Sequence, residues 1–370
     1  MIPLLKLPYL PLNKILSQVC PRDLIKLSFT SKTTRNIIEN CIKVPARFLK
    51  SEQSPGNRFF EIGLPGIEKE SLYFRLNHPE GWTKEREKHL KASDMLEIWG
   101  IELTLPHSNE DNRFQLYFKR DSDRNMFYLS LFKFLVRVFR TDKFSLISQC
   151  ESNKKNVFYM FDNCPNPLKT IAVDINWSAP ECLNLLELQR VLENTDQLRL
   201  HAYMGYEKYR GPINTKKLTT TYASWLTVES LKLMKCEQVK AAGTKFSAAE
   251  INEFLRHWKN GGFAQDLNYF HFSQHRNLPI DYDDERKMTK ILEGLEATKG
   301  FPPNMNLTPA HRLRTWYFKL NVGTLVTMYV DYDSVKLIAW NTERLENTNL
   351  AKFSFEDLTN HFPSDPDIIY

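Results

Sequence analysis

The chain has 370 residues, of which 42% are hydrophobic, 12% aromatic and 25% charged, and its formal net charge is +6. This composition excludes a disordered chain and predicts one large or two smaller globular domains. Residues 1–50 hold nine Lys or Arg against two acidic residues, so the positive charge lies at the amino terminus and a nucleic-acid-binding main domain is disfavoured.

The six cysteines form no Cys-x-x-Cys pair, and no histidine follows them at a zinc-ligand spacing. We therefore expect buried free thiols in a reducing compartment. The amino terminus lacks the regions of a signal peptide, and the most apolar window, Met126 to Phe139, is too short and too charged to span a bilayer. These features predict an intracellular protein, cytoplasmic or nuclear, that binds neither membrane nor nucleic acid.

Three short helices are predicted between Pro3 and Cys41. Apolar residues recur at helical spacing in the first helix, at Leu12, Ile15, Leu16 and Val19. This spacing predicts an amphipathic helix with one buried face.

Proline and hydroxyl residues mark the starts of the other two helices. Pro21 ends the first helix and opens the second, with Asp23 in the electropositive first turn. Thr30 or Ser31 can cap the third helix. The predicted inner faces of these helices carry Leu24, Leu27, Ser28, Ile37, Ile38 and Cys41.

This stretch has more apolar residues than forty residues can bury alone. An apolar excess on a small helical module marks either a partner site or a packing site against the rest of the chain. A helical cap on a larger domain is the alternative interpretation. The apolar residues left over after the three helical stripes are packed are Leu4, Leu5, Leu7, Leu10, Ile25 and Phe29.

The same stretch resembles an F-box. The matching positions are Leu7-Pro8, Ile15-Leu16, Pro21-x-Asp23-Leu24, Leu27-Ser28 and Ser31-Lys32. Its form is similar to the nematode-type F-box family that carries a type-2 F-box-associated domain. The resemblance implies a three-helix module that binds the Skp-type adaptor of cullin–RING ubiquitin ligases. We expect adaptor contacts, apart from those residues that must hold the helices together, at Pro3, Leu4, Leu5, Leu7, Pro8, Leu10, Ile15, Leu16, Leu24 and Leu27.

Residues 45–80 are rich in proline and glycine, and we expect a connector there with one or two short strands. Residues 82–93 are polar enough for an exposed helix or turn. Residues 96–105 and 113–119 alternate apolar and polar side chains, as half-buried strands do.

From residue 126 onwards, predicted helices and short strands alternate along the chain. We assign residues 228–236 to a strand. This strand contains the sequence pattern of a leucine-rich repeat, Leu231-x-Leu233-x-x-Cys236. The pattern predicts a degenerate leucine-rich-repeat-like α/β array. An ordinary α/β sheet with helices on both faces is the alternative. The predicted pairs of helix and strand are 126–139 with 144–147, 153–161 with 168–173, 181–193 with 198–203, 223–226 with 228–236, and 247–260 with 267–272.

The clearest predicted helix runs from Ser247 to Asn260. Ser247 and Glu250 form a capping box, and glycines at 261 and 262 end the helix. This segment is similar to the centre of the type-2 F-box-associated domain, with one departure, Lys259, which we interpret as a change at the surface. The matching positions are Asn252, Phe254, Leu255, Trp258 and Gly261.

The fold class we expect is therefore α+β or α/β, with the three-helix F-box first and an antiparallel meander closing the array. The meander covers the alternating segments 313–320, 324–331 and 335–340, after a linker over 297–310. A short helix is predicted at 355–360. The expected domains are the F-box (1–44), the connector (45–125), the F-box-associated α/β domain (126–345) and a carboxyl-terminal tail (346–370).

Motifs for catalysis or phosphate binding were sought and not found in the sequence. His271 and His275 share a strand face but lie about 13 Å apart, too far for one metal ion. Asp281, Asp283, Asp284 and Glu285 lack the spacing of a calcium loop and suit a helix start better. We therefore expect no catalytic residue, no cofactor and no metal.

The resemblance implies a non-enzymatic substrate-receptor subunit of a Skp–cullin–F-box ubiquitin ligase. Its partners would be a Skp-type adaptor, through it a cullin–RING ligase, and a protein target that the sequence does not identify. A solenoid-type interaction scaffold unconnected to ubiquitin is the first alternative. A basic-patch nucleic-acid binder is the second, and the near-neutral charge of residues 51–370 disfavours it.

Overall fold

The chain divides into two compact units, Met1–Asp174 and Ile175–Tyr370. The architecture is that of a computed structural model. It describes residues 9–54, 57–64, 71–77, 95–98, 101–104, 113–118, 120–141, 143–149, 154–163, 170–177, 183–204, 207–262, 264–274, 285–300, 302, 315–330 and 334–340.

The first unit begins with helices and continues with a sheet on which a long helix packs. Its described helices are α1 (Tyr9–Leu16), α2 (Pro21–Thr30), α3 (Lys32–Cys41), α4 (Asp121–Val138) and α5 (Lys154–Asn163). Its described strands are β1 (Val44–Pro45), β2 (Phe48–Ser54), β3 (Asn57–Gly63), β4 (Ser71–Asn77), β5 (Met95–Ile98), β6 (Ile101–Thr104), β7 (Arg113–Phe118), β8 (Phe139–Arg140) and β9 (Lys143–Ser148). The strand β10 (Thr170–Trp177) contains the division between the units.

The sheet of the first unit has the strand order β9-β2-β3-β4-β7-β6-β5. The pairs β2–β9 and β4–β7 are parallel, and the remaining neighbours are antiparallel. The expectation of one or two short strands over 45–80 is therefore wrong, because β2, β3 and β4 are seven-residue strands. Every second side chain of β4 is buried, so this segment is a long strand with one face against the core and not a connector.

Aromatic side chains of α4 fill the core against this sheet. Tyr128 stacks on Phe60 with ring centroids 4.6 Å apart, and Phe132 lies 5.5 Å from Phe144. The helix begins five residues before the predicted start, at Asp121, because acidic residues in the first turn favour its electropositive end.

The segment predicted as one strand over 96–105 contains two. Strands β5 and β6 pair antiparallel, with Ile98 opposite Ile101. Residues 99 and 100 lie outside the described residues, as do the polar segment 82–93 and the predicted helix 355–360.

The second unit contains four parallel strands followed by antiparallel ones. Its described α-helices are α6 (Leu185–Glu193), α7 (Val228–Lys232), α8 (Ala248–Lys259) and α9 (Glu285–Leu292). Its described strands are β11 (Gln197–Ala202), β12 (Lys217–Thr220), β13 (Gln238–Thr244), β14 (Tyr269–Gln274), β15 (Thr298–Lys299), β16 (Thr315–Lys319), β17 (Leu325–Val330) and β18 (Ser334–Trp340).

Strands β11, β12, β13 and β14 lie side by side in chain order, all parallel. The register partners Gln197, Lys217, Gln238 and Tyr269 are 20, 21 and 31 residues apart along the chain. Strand β18 then pairs antiparallel with β14, and β17, β16 and β15 follow as the predicted antiparallel meander. The predicted mixed α+β class, with amino-terminal helices before a large sheet and a meander, is confirmed.

The strand predicted over 228–236 is wrong. Thr227 caps helix α7 in a capping box with Ser230, so this segment is helical, and Leu233 follows the helix instead of lying in a strand. The strand that follows this helix is β13, which begins at Gln238, and the four-residue strand β12 was not predicted. The apolar spacing over 228–236 is compatible with a strand and with a helix. The capping hydrogen bonds at its start stabilise the helix.

One glycine in β13 has a positive φ. Gly243 has φ +76° and lies where the register between β13 and β14 shifts. A Cβ atom there would approach the carbonyl oxygen of Thr221 to 2.9 Å. The bulge therefore requires glycine.

The described cysteines differ in exposure. Cys20 is exposed, Cys41 is partly buried and Cys236 is buried, and all three are free. The expectation of buried thiols is thus correct for Cys236 and wrong for Cys20, which precedes helix α2 at its surface. The other three cysteines, at positions 150, 164 and 182, lie outside the described residues.

Candidate adaptor interface

Helices α2 and α3 begin where the sequence predicts, whereas α1 ends at Leu16, so Val19 lies after the helix and Pro21 does not end it. Pro21 occupies the first turn of α2, and Asp23 lies in that turn. Ser31 caps α3 by accepting a hydrogen bond from the backbone nitrogen of Thr34 at 3.0 Å. The first-turn proline of α2 and the serine cap of α3 are thus local signals for the starts of these two helices.

The module has a buried interior of its own. Leu24, Ile25 and Ile38 are buried between the helices. Arg35 is also buried, and its Nε donates to the backbone oxygen of Ser28 at 3.3 Å. Burial lowers the pKa of Arg35, and the nearby charge of Glu39 opposes this shift.

Phe29 anchors the module to the sheet of the first unit. Its ring lies 6.2 Å from that of Phe114 and 6.5 Å from that of Phe127, edge to face in both pairs. Two of the residues left over by the helical stripes, Ile25 and Phe29, therefore pack inside the unit. For these two, packing within the chain is the correct alternative.

Polar contacts also join the end of α3 to the end of α4. The Nζ of Lys43 donates to the backbone oxygens of Glu39, at 3.0 Å, and Arg137. Arg137 in turn pairs with the carboxylate of Glu39 at 2.9 Å. Burial, and then the charges of Arg140 and Arg137, lower the pKa of Lys43. The module is thus fixed at two separate places within its unit.

The structure separates the described adaptor candidates by exposure. Ile15 is 43% exposed and Leu27 is partly exposed, whereas Leu16 and Leu24 are 2% exposed each. The burial of Leu16 and Leu24 assigns them to the interior of the module, the alternative role that the sequence left open for some of this set. Leu10 lies in α1, and its side chain is outside the described residues, as are Pro3, Leu4, Leu5, Leu7 and Pro8.

The three described helices carry exposed lysines as well as the exposed Ile15. Lys14, Lys26 and Lys32 are exposed, and Lys26 lies 3.8 Å from Asp23. The outer surface of the described helices therefore combines one large apolar side chain with positive charge. This combination suits a partner that offers an apolar pocket on an acidic surface.

The motif residues of helix α8 have structural roles in the second unit. Ser247 and Glu250 form the predicted capping box, and Ile251 is buried, as are Phe254, Leu255 and Trp258. Asn252 is buried too, and its Nδ2 donates to the backbone oxygens of Ile291 at 2.8 Å and Glu293 at 2.7 Å. The N-x-F-L-x-x-W pattern thus joins α8 to the end of α9. It is a signature of the fold and not of a binding surface.

Lys259 is not the surface substitution that the sequence suggested. Its Nζ donates to the backbone oxygen of Leu295 at 2.9 Å and lies 3.0 Å from the carboxylate of Glu296. The side chain is 12% exposed. Its hydrocarbon stem is therefore buried while its ammonium group binds the chain after α9.

Two further expectations concern absences. Among the described residues, no group of three or more His, Cys, Asp and Glu could hold a metal ion. Glu285 lies in the first turn of α9, as expected. The other members of the two candidate clusters, His275, Asp281, Asp283 and Asp284, lie outside the described part. None of the described helices has the length and hydrophobicity that crossing a membrane requires.

Comparison with known proteins identifies two stretches. A family model described as F-box domain matches residues 4–44, the region of α1 to α3. A second, described as F-box associated, matches residues 211–272, from before β12 into β14. No curated protein and no solved structure matches the chain. The chain is therefore an F-box protein with a type-2 F-box-associated domain.

Proposed function

We propose that this protein is the substrate-receptor subunit of a Skp–cullin–F-box ubiquitin ligase. The observation that carries the proposal is the match of an F-box to residues 4–44, where the described chain forms three short helices with Ile15 exposed. F-box domains generally bind Skp-type adaptors within cullin ligases. The exposed lysines of this module favour fast encounter with an acidic adaptor surface.

The proposed role is positional and not catalytic. The F-box would dock on the adaptor, and the rest of the chain would hold a protein target beside the ubiquitin-charged enzyme of the ligase. The gain is a higher effective concentration of ubiquitin thioester at a target lysine, with no bond made or broken by this chain. Such a role places the protein inside the cell, in the cytoplasm or nucleus.

We assign target binding to the F-box-associated domain, which we propose is a degenerate leucine-rich-repeat-like array. The support is the parallel, sequential arrangement of β11 to β14, whose first two register intervals are 20 and 21 residues. These intervals match the length of such repeats, and the third, at 31 residues, is longer. The domain limits at 1–44, 45–125, 126–345 and 346–370 remain a prediction within this scheme.

Two adjacent residues of α1 allow a sharp test. Ile15→Asp alters a side chain that is already 43% exposed, so the fold should survive while adaptor binding weakens about 30-fold or more, the loss typical of a hydrophobic anchor. Leu16→Asp places a carboxylate in the module interior and should destabilise the protein by about 3 kcal/mol or more. Co-purification with a Skp-type adaptor measures the first effect, and thermal unfolding measures the second.

Leu186→Asp is the matched control, because Leu186 is 78% exposed on a helix of the second unit. It should leave adaptor binding unchanged. Leu7→Ala and Pro8→Ala test the predicted contacts before α1 in the same assay. If the intact chain binds no Skp-type adaptor, or if Ile15→Asp binds as tightly as the unchanged chain, the ligase assignment fails. The scaffold interpretation would then remain.

A further inference from the structure

The strands of the second unit carry positive charge without negative charge. From β11 to β18 the strand residues include six Lys or Arg and two His, and none is Asp or Glu. The whole stretch 51–370 is close to neutral, so its acidic side chains lie outside these strands. The described strands of this unit therefore carry basic side chains only, whereas both signs of charge occur in the rest of the unit.

Four of these basic residues lie in one row across the sheet. Arg199 pairs in register with Thr219, Thr219 with Lys240, Lys240 with His271 and His271 with Lys336. The row crosses β11, β12, β13, β14 and β18 and ends at Tyr329 on β17, opposite Lys336. At about 4.8 Å between neighbouring strands, it extends over about 24 Å. We call these six residues the basic row.

The basic row lies on the sheet face that helix α8 does not cover. The ring of Phe254 on α8 lies 5.2 Å from that of Phe270, which neighbours His271 in the strand and so points to the other face. The row residues are partly exposed, whereas Phe270 and Phe272 on either side of His271 are buried. The row residues themselves are thus partly accessible to another chain.

Aromatic rings hold the two lysines in place. The Nζ of Lys240 lies 5.8 Å from the ring centre of Tyr269, and the Nζ of Lys336 lies 5.8 Å from that of Tyr329. Tyr269 is itself buried, so Lys240 lies against an apolar surface. Low local polarity strengthens the attraction that such cations exert on an anion.

His271 lies between Lys240 on β13 and Lys336 on β18, its register partners. Burial, followed by the charges of Lys336 on β18 and Lys240 on β13, lowers its pKa to about 4. Its neighbour Tyr269, at 6.5 Å between ring centres, is a neutral phenol whose pKa burial raises to about 12. The imidazole is therefore neutral at pH 7 and can accept a proton when an anion arrives.

We propose that the basic row is the docking surface for an acidic, extended peptide segment of a partner protein. An extended chain of seven to eight residues spans about 24 Å, and its alternate side chains, about 7 Å apart, all face one surface. The cations Arg199, Lys240 and Lys336 lie on every second strand, about 10 Å apart, and their long side chains would reach Asp or Glu at alternate positions of such a segment. This inference rests on the proposed receptor function and specifies the chemistry of its target.

A nucleic acid is the weaker candidate for the same surface. Polyanions are attracted by broad positive fields, and each phosphate neutralised adds to a steep salt dependence. The near-neutral charge of residues 51–370 and a single row of four basic side chains fit a short acidic peptide better. A competing oligonucleotide belongs in the test for this reason.

The test uses the full chain and a fluorescein-labelled ten-residue peptide with Asp at alternating positions. Fluorescence anisotropy should show binding of this peptide and at least tenfold weaker binding of the same peptide with Asn in place of Asp. Lys240→Gln and Lys336→Gln should each weaken binding of the acidic peptide about fivefold, as expected for loss of one partly exposed charge pair.

Lys290→Gln is the matched control, because Lys290 is an exposed lysine on helix α9 of the same unit. It should bind the acidic peptide like the unchanged chain. Equal binding of the Asn peptide, or unchanged binding by both row variants, would overturn the proposal. Displacement of the peptide by a ten-nucleotide single strand at a tenfold lower concentration would also overturn it, in favour of a nucleic acid.

Adaptor binding separates this inference from the proposed function. The row variants should co-purify with the adaptor as the unchanged chain does, and Ile15→Asp should still bind the acidic peptide. If the unchanged chain binds the adaptor but not the acidic peptide, the inference about the basic row is wrong and the proposed function stands. Peptide binding without any adaptor complex removes the ligase function and leaves the basic row as an acidic-peptide surface.

Discussion

The ammonium group of Lys259 donates to the backbone oxygen of Leu295 at 2.9 Å, joining helix α8 to the chain that follows α9. The backbone oxygen of Lys259 in turn accepts from the nitrogen of Asn321 at 2.9 Å, in the turn between β16 and β17. One residue thus connects the F-box-associated helix to two later segments. Its position within the unit explains why a lysine at the end of an apolar stripe is tolerated.

We expect Lys259→Met to destabilise the second unit by about 1–2 kcal/mol, since a buried carbonyl loses a charge-assisted donor. Glu296→Gln should cost less than about 0.5 kcal/mol, because the Glu296 side chain is 88% exposed and its ion pair is screened by solvent. Chemical denaturation of both variants measures the difference. Equal losses would show that the ion pair, and not the bond to Leu295, stabilises this contact.

Asn252→Ala should destabilise the protein by about 2–3 kcal/mol, because two backbone oxygens, of Ile291 and Glu293, each lose their amide donor. Asn252→Asp should be worse at pH 7 than at pH 4, since an ionised carboxylate would face those oxygens. Thermal unfolding at the two pH values is the measurement. Glu253→Ala, on the exposed neighbouring position, serves as the control and should change stability little.

Phe29→Ala should cost about 3–5 kcal/mol, the usual loss for a buried phenylalanine. The reason is that the ring packs against Phe114 and Phe127, so its removal loosens the F-box helices from the sheet of their unit. Hydrogen exchange should become faster in α2 and α3. Ile15→Ala, at an exposed position, provides the comparison, and similar losses in both variants would contradict the packing role of Phe29.

His271 predicts a specific pH dependence of stability. Its pKa is about 4 in the folded protein and near 6.5 when exposed, so the unfolded chain binds more protons between these values. Stability should therefore fall as the pH drops from about 6.5 to about 4 and show no further loss from this group below that. In His271→Gln the decline over this window should be shallower. An identical decline in the variant would mean that other groups cause it.

The F-box helices show how far local sequence information reaches. Pro21, Asp23 and Ser31 fixed the starts of α2 and α3 because caps depend on bonds within three or four residues. The same local chemistry predicted α8 from Ser247 to its end. Apolar spacing alone did not distinguish strand from helix over 228–236, where the capping bonds of Thr227 and Ser230 formed a helix.

Tertiary structure decided which apolar residues of the three helices face solvent. By sequence, Ile15, Leu16 and Leu24 were adaptor candidates and Phe29 was left over by the helical stripes, yet Ile15 is exposed and the other three are buried. The reason is that exposure depends on α4 and on strands far along the chain, which no local pattern encodes.

The basic row also exists only because of the tertiary structure. Arg199, Lys240, His271 and Lys336 are spread over 138 positions of sequence in a stretch of near-zero net charge. Local sequence determined the helix caps, the strand alternation and the family motifs, because these depend on neighbours in the chain. Strand pairing alone brought these four basic side chains into one row, because register joins residues that the sequence keeps apart.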